Sequence, residues 1–540
     1  MWPIATPSAV AAFSGCAAMF ALAIAANSPT VVVLAAAPLI GLAGALALAT
    51  GAGRRMRRER LEFAWWLDHS TPGTRLGAVV PGVPFLVRCY LRVHGKRGFE
   101  LARLRPVLPA GVRVLDPEPD SIRLVPRSRT EFAFTFVAPA VGRLVLQGLS
   151  VRSPASLGLF QAPMYFPNPL AIKVLPRVST ARSTAVAMVG GLPVERSGQA
   201  LRQRQSGGAE LRELRELQPG DPFKAIAWKA SARLGKLMVR EVEREVQETA
   251  YVVLDVSGSM RGGEVGSRKL DHGVELAAAE VCRSLDRGDR VGLLCVDGRI
   301  VSHVPANDGA QQTLRVYDAL LTAVDAADAD LTQPTLDEVL ELVGAYARRQ
   351  DGLDFARRGA GVWDRAGLVA YAERALRGQP GPAVQAVQTE HEEDSTLRRF
   401  CQLRGIALRY RAAPSGTTKA QALSSALRLA AGTLRQPRSI LLISDLDGAA
   451  DQTDLGPTLS LLRAHAHRVC ALVPDAVSFA AEARNQRERD LHYVYGLQEA
   501  RRVRQASKLF GRHGFPAVVT RRGDLPGRIV TRAHQMRRVA

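Results

Sequence analysis

The chain opens with two uninterrupted apolar stretches, about Ser8–Ala26 and Thr30–Thr50, and neither contains a charged residue. Each is close to the roughly 20 residues that a spanning helix needs. Only Asn27-Ser28-Pro29, a turn signal, separates them. Neither stretch has a polar face, as a helix packed on a soluble core would. The pair predicts a membrane hairpin over residues 1–53. A secretory signal peptide would carry a basic segment ahead of the first stretch, and none is present.

From about Leu61 to Arg177 the pattern changes to short alternating runs bounded by Pro and Gly, as in Phe85–Gly95, Thr130–Pro139 and Gly142–Ser153. Phe132, Phe134 and Phe136 recur at period two, the mark of a half-buried strand face. Strands at this turn-separated spacing predict an all-β, sandwich-like domain over 54–178. Residues 179–210 are rich in Ser, Gly and Arg with little periodicity and read as a linker. In the block 211–247, Pro219-Gly220-Asp221-Pro222 is a turn signal, with Asp221 placed to cap a helix begun at Pro222. Ile226, Ala230 and Arg233 would share one face of that helix, Gly235 would stop it, and Lys236–Glu245 reads as an exposed strand. Arg215, Arg233 and Arg240 can pair with Glu216, Asp221 and Glu241, which would dock the block on its neighbour.

Residues 248–540 alternate between buried-strand and helix patterns. Tyr251–Leu254, Asp289–Gly298 and Ser439–Gly448 read as strands, and Gly273–Leu285 and Ala310–Val324 as helices. This βαβ alternation predicts a parallel sheet with helices on both faces. The stretch 325–403, with helical patterns and the polar run His391–Phe400, reads as a helical insertion.

Charge refines the first segment. Arg54, Arg55, Arg57, Arg58 and Arg60 follow the second apolar stretch directly. By the positive-inside rule that end is cytoplasmic, so the rest of the chain is expected there too. The formal net charge of +21 does not argue for nucleic acid, because aromatics are 6% and basic residues are spread over the whole chain. The six cysteines are scattered without a C-x-x-C pair, and Cys282, Cys295 and Cys470 lie in apolar patterns as packed thiols, in keeping with a reducing compartment.

The candidate chemistry sits where strands end. Tyr251–Leu254 runs into Asp255, and Ser257 and Ser259 follow at alternate positions. One carboxylate and two hydroxyls can thus be aimed at a single point, a hard-oxygen set suited to Mg²⁺, Mn²⁺ or Ca²⁺. Thr417, with Thr418 as its neighbour, precedes a helical pattern, and Asp445 ends the second buried strand. A capped turn without metal would use the same residue types. Together Asp255, Ser257, Ser259, Thr417 and Asp445 resemble the metal-ion-dependent adhesion site of von Willebrand factor A (vWA) domains. That resemblance implies a Rossmann-like α/β fold and a cation with one open position for a partner's carboxylate. Asp255→Ala would then lose the partner and leave the domain folded.

The block 211–247 carries Leu214, Arg215, Glu216, Pro219, Gly220, Asp221, Ile226, Trp228, Ala232, Arg233, Arg240 and Glu241. It resembles the signature of the bacterial family called domain of unknown function 58. Leu217 and Ala227 depart from that pattern, where Tyr and an acidic residue are common. The segment Val141–Phe160 also looks like the one that precedes the signature there. The resemblance implies a multi-pass protein of the inner (cytoplasmic) membrane with its soluble domains in the cytoplasm. It further implies a binding or adaptor role beside a MoxR-type AAA+ ATPase. The chain has no Gly-x-x-x-x-Gly-Lys-[Ser/Thr] loop and is not expected to hydrolyse ATP. A metal-dependent hydrolase is the enzymatic alternative, without an acid–base pair near the loops to support it. A purely structural role in the envelope is the third.

The arginine cluster yields a direct test. A fluorescent reporter fused after Ala540 is expected to be active, and alkaline phosphatase fused at the same point inactive; phosphatase activity there would reverse the orientation.

Overall fold

The computed structural model describes residues 3–26, 29–69, 79–116, 121–154, 156–177, 210–218, 223, 226–243, 247–357, 362–377, 390–411, 416–432, 437–447, 455–480 and 483–539. The expected linker 179–210 and the Pro219–Pro222 turn fall almost wholly outside them.

A short strand β1 (Ile4–Ala5) leads into helices α1 (Pro7–Ala25) and α2 (Pro29–Arg58). Both are long and apolar enough to cross a membrane. Val10, Phe13, Leu22 and Ile24 of α1 point outward, which only an apolar surrounding tolerates across so continuous a surface. The α2 helix runs on through the arginine cluster to Arg58, beyond the apolar stretch.

Residues 61–174 form strands β2 (Leu61–Leu67), β3 (Pro84–Val93), β4 (Phe99–Val107), β5 (Arg113–Val114), β6 (Ser121–Leu124), β7 (Arg129–Val137), β8 (Gly142–Arg152), β9 (Phe160–Gln161) and β10 (Pro163–Val174). Two four-stranded antiparallel sheets, β10-β8-β4-β6 and β2-β3-β7-β5, enclose one core. In β3 the alternation is clean: Phe85, Val87, Cys89, Leu91 and Val93 are buried, while Arg88 and Arg92 are exposed. That is the period-two pattern of a sheet wet on one side. β1 pairs with β9, and the Thr6 amide donates to the Leu159 carbonyl at 2.9 Å. Both ends of the helical pair are thereby tied to the same β-domain.

In the next block β11 (Glu210–Glu216) and β12 (Met238–Glu243) form an antiparallel pair around helix α3 (Trp228–Leu234). The helix begins six residues later than the Pro222 start expected from the turn. Ile226 is in a bridge with Val239 instead, and Ile226 and Ala227 are buried. Packing against β12 outweighs the local helical signal. Gly235 ends α3 at φ +69°, a conformation that glycine adopts without a Cβ penalty.

The last region comprises β13 (Thr249–Asp255), α4 (Lys269–Asp286), β14 (Arg290–Val296), β15 (Ile300–Asn307), α5 (Ala310–Val324), α6 (Leu336–Gln350), α7 (Arg365–Leu376), α8 (Glu390–Arg404), α9 (Gly416–Ala431), β16 (Ser439–Ile443), α10 (Leu455–Ala464), β17 (Arg468–Pro474), α11 (Ala476–Phe479), α12 (Gln486–Arg512), β18 (Ala517–Thr520) and α13 (Pro526–Val539). Six strands stand in the order β15-β14-β13-β16-β17-β18. All neighbours are parallel except β14 and β15. The central strands are apolar on both faces: Val252 and Leu254 face one layer of helices, Tyr251 and Val253 the other. A sheet buried on both sides needs such runs. Chain order reverses between β13 and β16, which opens a crevice beyond their carboxyl ends.

The insertion is a bundle of α6, α7 and α8 with its own core, including Val339, Val343, Leu368, Leu397 and Phe400. Its base is closed at 331–333 and 409–411, where Gln333 donates to the Arg409 carbonyl (2.8 Å) and Arg411 to that of Leu331 (3.0 Å). The inserted unit therefore begins and ends about seven residues later than the expected 325–403. It also bridges domains, with Gln350 donating to the Tyr165 hydroxyl at 2.7 Å and Gln147 to the Arg404 carbonyl at 2.7 Å.

Two carboxylates meet the β-domain from the α/β domain. Asp325 accepts from the Arg143 amide at 2.7 Å, and Glu275 accepts from the Arg177 amide at 3.0 Å. Burial pushes the Glu275 carboxyl up from 4.5 to about 7 and Asp325 up from 3.8 to about 6. The folded chain therefore binds protons at these sites more readily than the unfolded chain. Their contribution is most favourable below the ordinary values and is lost as pH rises through about 6 to 7. Thermal midpoints compared between pH 5 and pH 8 should show a smaller decline for Glu275→Gln, Asp325→Asn than for the unchanged chain; an identical decline would remove these groups from the interface balance.

Candidate functional site

β13 and β16 are adjacent parallel strands, so their carboxyl ends deliver Asp255 and Asp445 to the same place. Both carboxylates are fully buried. Helix α4 packs closely behind them: a Cβ on Gly273 would lie 3.1 Å from Leu254 Cδ1 and 3.4 Å from Ile443 Cγ2. The first loop turns tightly after Asp255. Its Oδ1 accepts from the Ser257 amide at 2.9 Å, and its Oδ2 accepts from the Ser444 hydroxyl at 2.6 Å. Ser257 Oγ and Ser259 Oγ are 3.1 Å apart, and Ser259 donates to Asp445 Oδ1 at 3.1 Å. The second loop turns at Leu446, a buried residue with φ +52°, and the Asp447 amide donates to Asp445 Oδ1 at 3.1 Å.

Four of the five expected residues, Asp255, Ser257, Ser259 and Asp445, are thus brought together. Thr417 lies in the first turn of α9, with its side chain outside the described residues, and Thr418 is exposed.

Two residues that the sequence reading passed over complete the cluster. Lys419, on the first turn of α9, places its Nζ 2.7 Å from Asp255 Oδ2, 2.7 Å from Asp445 Oδ1 and 2.9 Å from Ser259 Oγ. An ammonium has three N–H donors, and all are used here. Lys269, the first residue of α4, donates to Asp445 Oδ2 at 2.5 Å. Both lysine side chains are almost wholly buried. Burial by itself would lower the Lys419 ammonium's affinity for its proton, but Asp255 and Asp445 outweigh it and raise the pKa above the usual lysine value. Burial opposes ionisation of Asp445, and Lys419, Lys269 and Arg502 overcome it, holding this carboxyl well below the usual range. Lysine in a sequence otherwise nearly devoid of it was the available signal: only eight of the 72 basic residues are Lys.

This donor set does not fit a divalent ion as it is arranged. The carboxylate pair is balanced by the lysine pair. Three oxygens expected to hold metal surround Nζ at hydrogen-bond distances, whereas Mg²⁺ requires about 2.1 Å. A divalent ion about 4 Å from one ammonium would meet a repulsion on the order of 8 kcal/mol at an effective dielectric constant near 20. The sequence reading has Asp255→Ala lose the partner and keep the fold, whereas in the structure Asp255 also carries local bonds. It bonds the Ser257 amide, Ser444 and Lys419 while buried, so its removal also strips a structural node.

The loop cluster continues outward. Arg261, just after the first loop, donates to the Val256, Val324 and Ala323 carbonyls and lies over the Tyr410 ring, 3.6 Å from its centroid. Tyr410 in turn donates to Asp297 Oδ2 at 2.8 Å, at the end of β14. The base of the inserted bundle is thereby tied to the site's rim. On the other side, Arg502 of α12 pairs with Asp447 at 3.4 Å and with Glu499.

Comparison with known proteins agrees with the signature block. Residues 213–355 match the family described as Protein of unknown function DUF58. The match covers 143 of the chain's 540 residues. An uncharacterized protein of Mycobacterium tuberculosis is 33% identical over 119 residues, 22% of this chain and 38% of the relative. The uncharacterized protein YeaD of Bacillus subtilis is 28% identical over 156 residues, covering 27% of this chain and 37% of its own. The matched part thus spans well under half the length of these relatives. Two solved structures resemble 54% of the chain and are covered in full: an aerotolerance-related membrane protein of Bacteroides fragilis (11% identity, TM-score 0.25) and the conserved hypothetical protein BatB of Bacteroides thetaiotaomicron (10% identity, TM-score 0.23). Likeness at that level carries no argument about mechanism. Within the DUF58 segment the aromatic side chains are not all spent on packing: Phe223 and Trp228 are 78% and 61% exposed.

The buried ion cluster should be costly to break. Lys419→Ala leaves two buried carboxylates facing one lysine and is expected to destabilise the domain by about 3–5 kcal/mol. Denaturant melts in metal-free buffer would measure this, and a loss below about 1 kcal/mol would show the cluster to be solvated.

Proposed function

We propose that this DUF58 chain is a membrane-anchored protein-binding module. In this reading its α/β region has the vWA-like fold and its docking face is the loop cluster at the carboxyl end of the sheet. The observation that carries the proposal is an apolar surface beside that cluster. The outer half of α12 exposes Leu491, Tyr493, Val494, Tyr495 and Leu497. Two turns further along the same helix, Arg502 reaches Asp447. Exposed apolar surface of this kind, next to a polar centre, is the usual anatomy of a protein interface. Asp255 and Asp445 are both engaged by lysine, so neither is placed as a general base, which favours binding over hydrolysis.

The partner proposed is a MoxR-type AAA+ ATPase, as the family resemblance implies. The location proposed is the inner membrane with the soluble domains in the cytoplasm. Two features support that placement: the arginines at the end of α2, and the tie of both hairpin ends to the β-domain.

Co-purification of the full-length protein with such an ATPase tests the reading. Leu491→Asp with Tyr495→Asp is expected to reduce capture at least tenfold while leaving the thermal midpoint unchanged, because both side chains are exposed. Unchanged capture by this variant would move the docking face elsewhere.

A further inference from the structure

We infer that the Lys419 ammonium takes the place of the divalent cation in this vWA-like loop cluster, so that the site is complete without metal. The inference rests on the reading of these loops as the docking site, and adds that docking there is independent of metal.

Three observations lead to it. Nζ of Lys419 bonds an oxygen of Asp255, of Ser259 and of Asp445, which are three of the residues expected to converge on a metal. Lys269 occupies the remaining Asp445 oxygen, so the two carboxylates already have two cationic partners. Asp255, Ser257, Lys269, Lys419 and Asp445 are all buried, and Ser259 is half-buried at the edge of the cluster. Helices α4 and α9 both begin at the cluster, and their amino-terminal dipoles add to its positive potential. A metal could enter only by displacing an ammonium whose three donors are satisfied, into surroundings with no replacement acceptors among its present partners.

The arrangement has a consequence for regulation. A metal-dependent site empties and fills with the ion supply. A lysine carried on the helix that follows the loop is present whenever the domain is folded, so chelation cannot switch it off.

The test uses Mn²⁺ alone as the probe, read by loss of the free-ion paramagnetic resonance signal with full-length protein in detergent. The unchanged protein is expected to leave the signal undiminished at millimolar Mn²⁺ and to keep its thermal midpoint in EDTA. Lys419→Met and Lys419→Gln are expected to take up one equivalent and to gain thermal midpoint with it. Gln is one bond shorter than Lys but keeps two N–H donors, so a folded variant remains to be measured if Met does not accumulate. Uptake of one Mn²⁺ by the unchanged protein would overturn the inference, as would failure of both substitutions to create uptake. ATPase capture is scored in parallel. Capture that persists in EDTA supports both readings. Capture lost in EDTA together with Mn²⁺ uptake by the unchanged protein overturns metal independence alone. Absent capture without Mn²⁺ uptake overturns the docking role alone.

Discussion

One ammonium group, that of Lys419, is the point on which the carboxyl end of the sheet depends. It joins Asp255 at the end of β13 to Asp445 beyond β16, and it comes from the helix that leads into β16. Two carboxylates brought so close in a dry interior would repel each other and resist ionisation. With Lys419 between them and Lys269 behind Asp445, each carboxylate has an ammonium within hydrogen-bond distance, and Asp445 is held ionised. The price of burying four charges is high. It is offset only by the full set of hydrogen bonds from Ser257, Ser259, Ser444 and the Asp447 amide.

The rest of the chain is arranged around that end of the sheet. Gly273 lets α4 lie directly on Leu254 and Ile443, so the strands behind the site have little room to shift. The inserted bundle is anchored at its base through Arg261, Tyr410 and Asp297, and along its side through Gln350 and Tyr165. The β-domain is therefore connected to the loop rim through the bundle as well as through Glu275 and Asp325. The two long apolar helices join the same body through β1 and β9.

Much of this was legible in the sequence. The charge-free stretches give the two long apolar helices, because a segment without polar residues has few other stable environments. Period-two runs such as Phe132–Phe136 give sandwich strands, and the unbroken apolar runs give the central parallel strands. Asp255 and Asp445 could be matched because each follows an apolar strand, and parallel neighbours bring like ends together. The start of α3 is not legible in the sequence because a turn signal is local, whereas Ile226 bridges to Val239 on β12.

The division between the two levels of information follows from the range of the forces. Hydrophobic periodicity and strand-end chemistry are written within a few residues, and by themselves they determined the domain classes and the two carboxylates of the site. The identity of the cation was decided only in three dimensions. Lys269 lies 14 positions from Asp255 in the numbering and Lys419 is 160 from Ser259, and nothing local distinguishes them from solvated surface lysines. They become the counter-ions only because α4 and α9 start at the crevice where the strand order reverses. There a flexible four-carbon stem can carry its charge to the point between the two carboxylates, which leaves the cluster electrically balanced without an ion from solution.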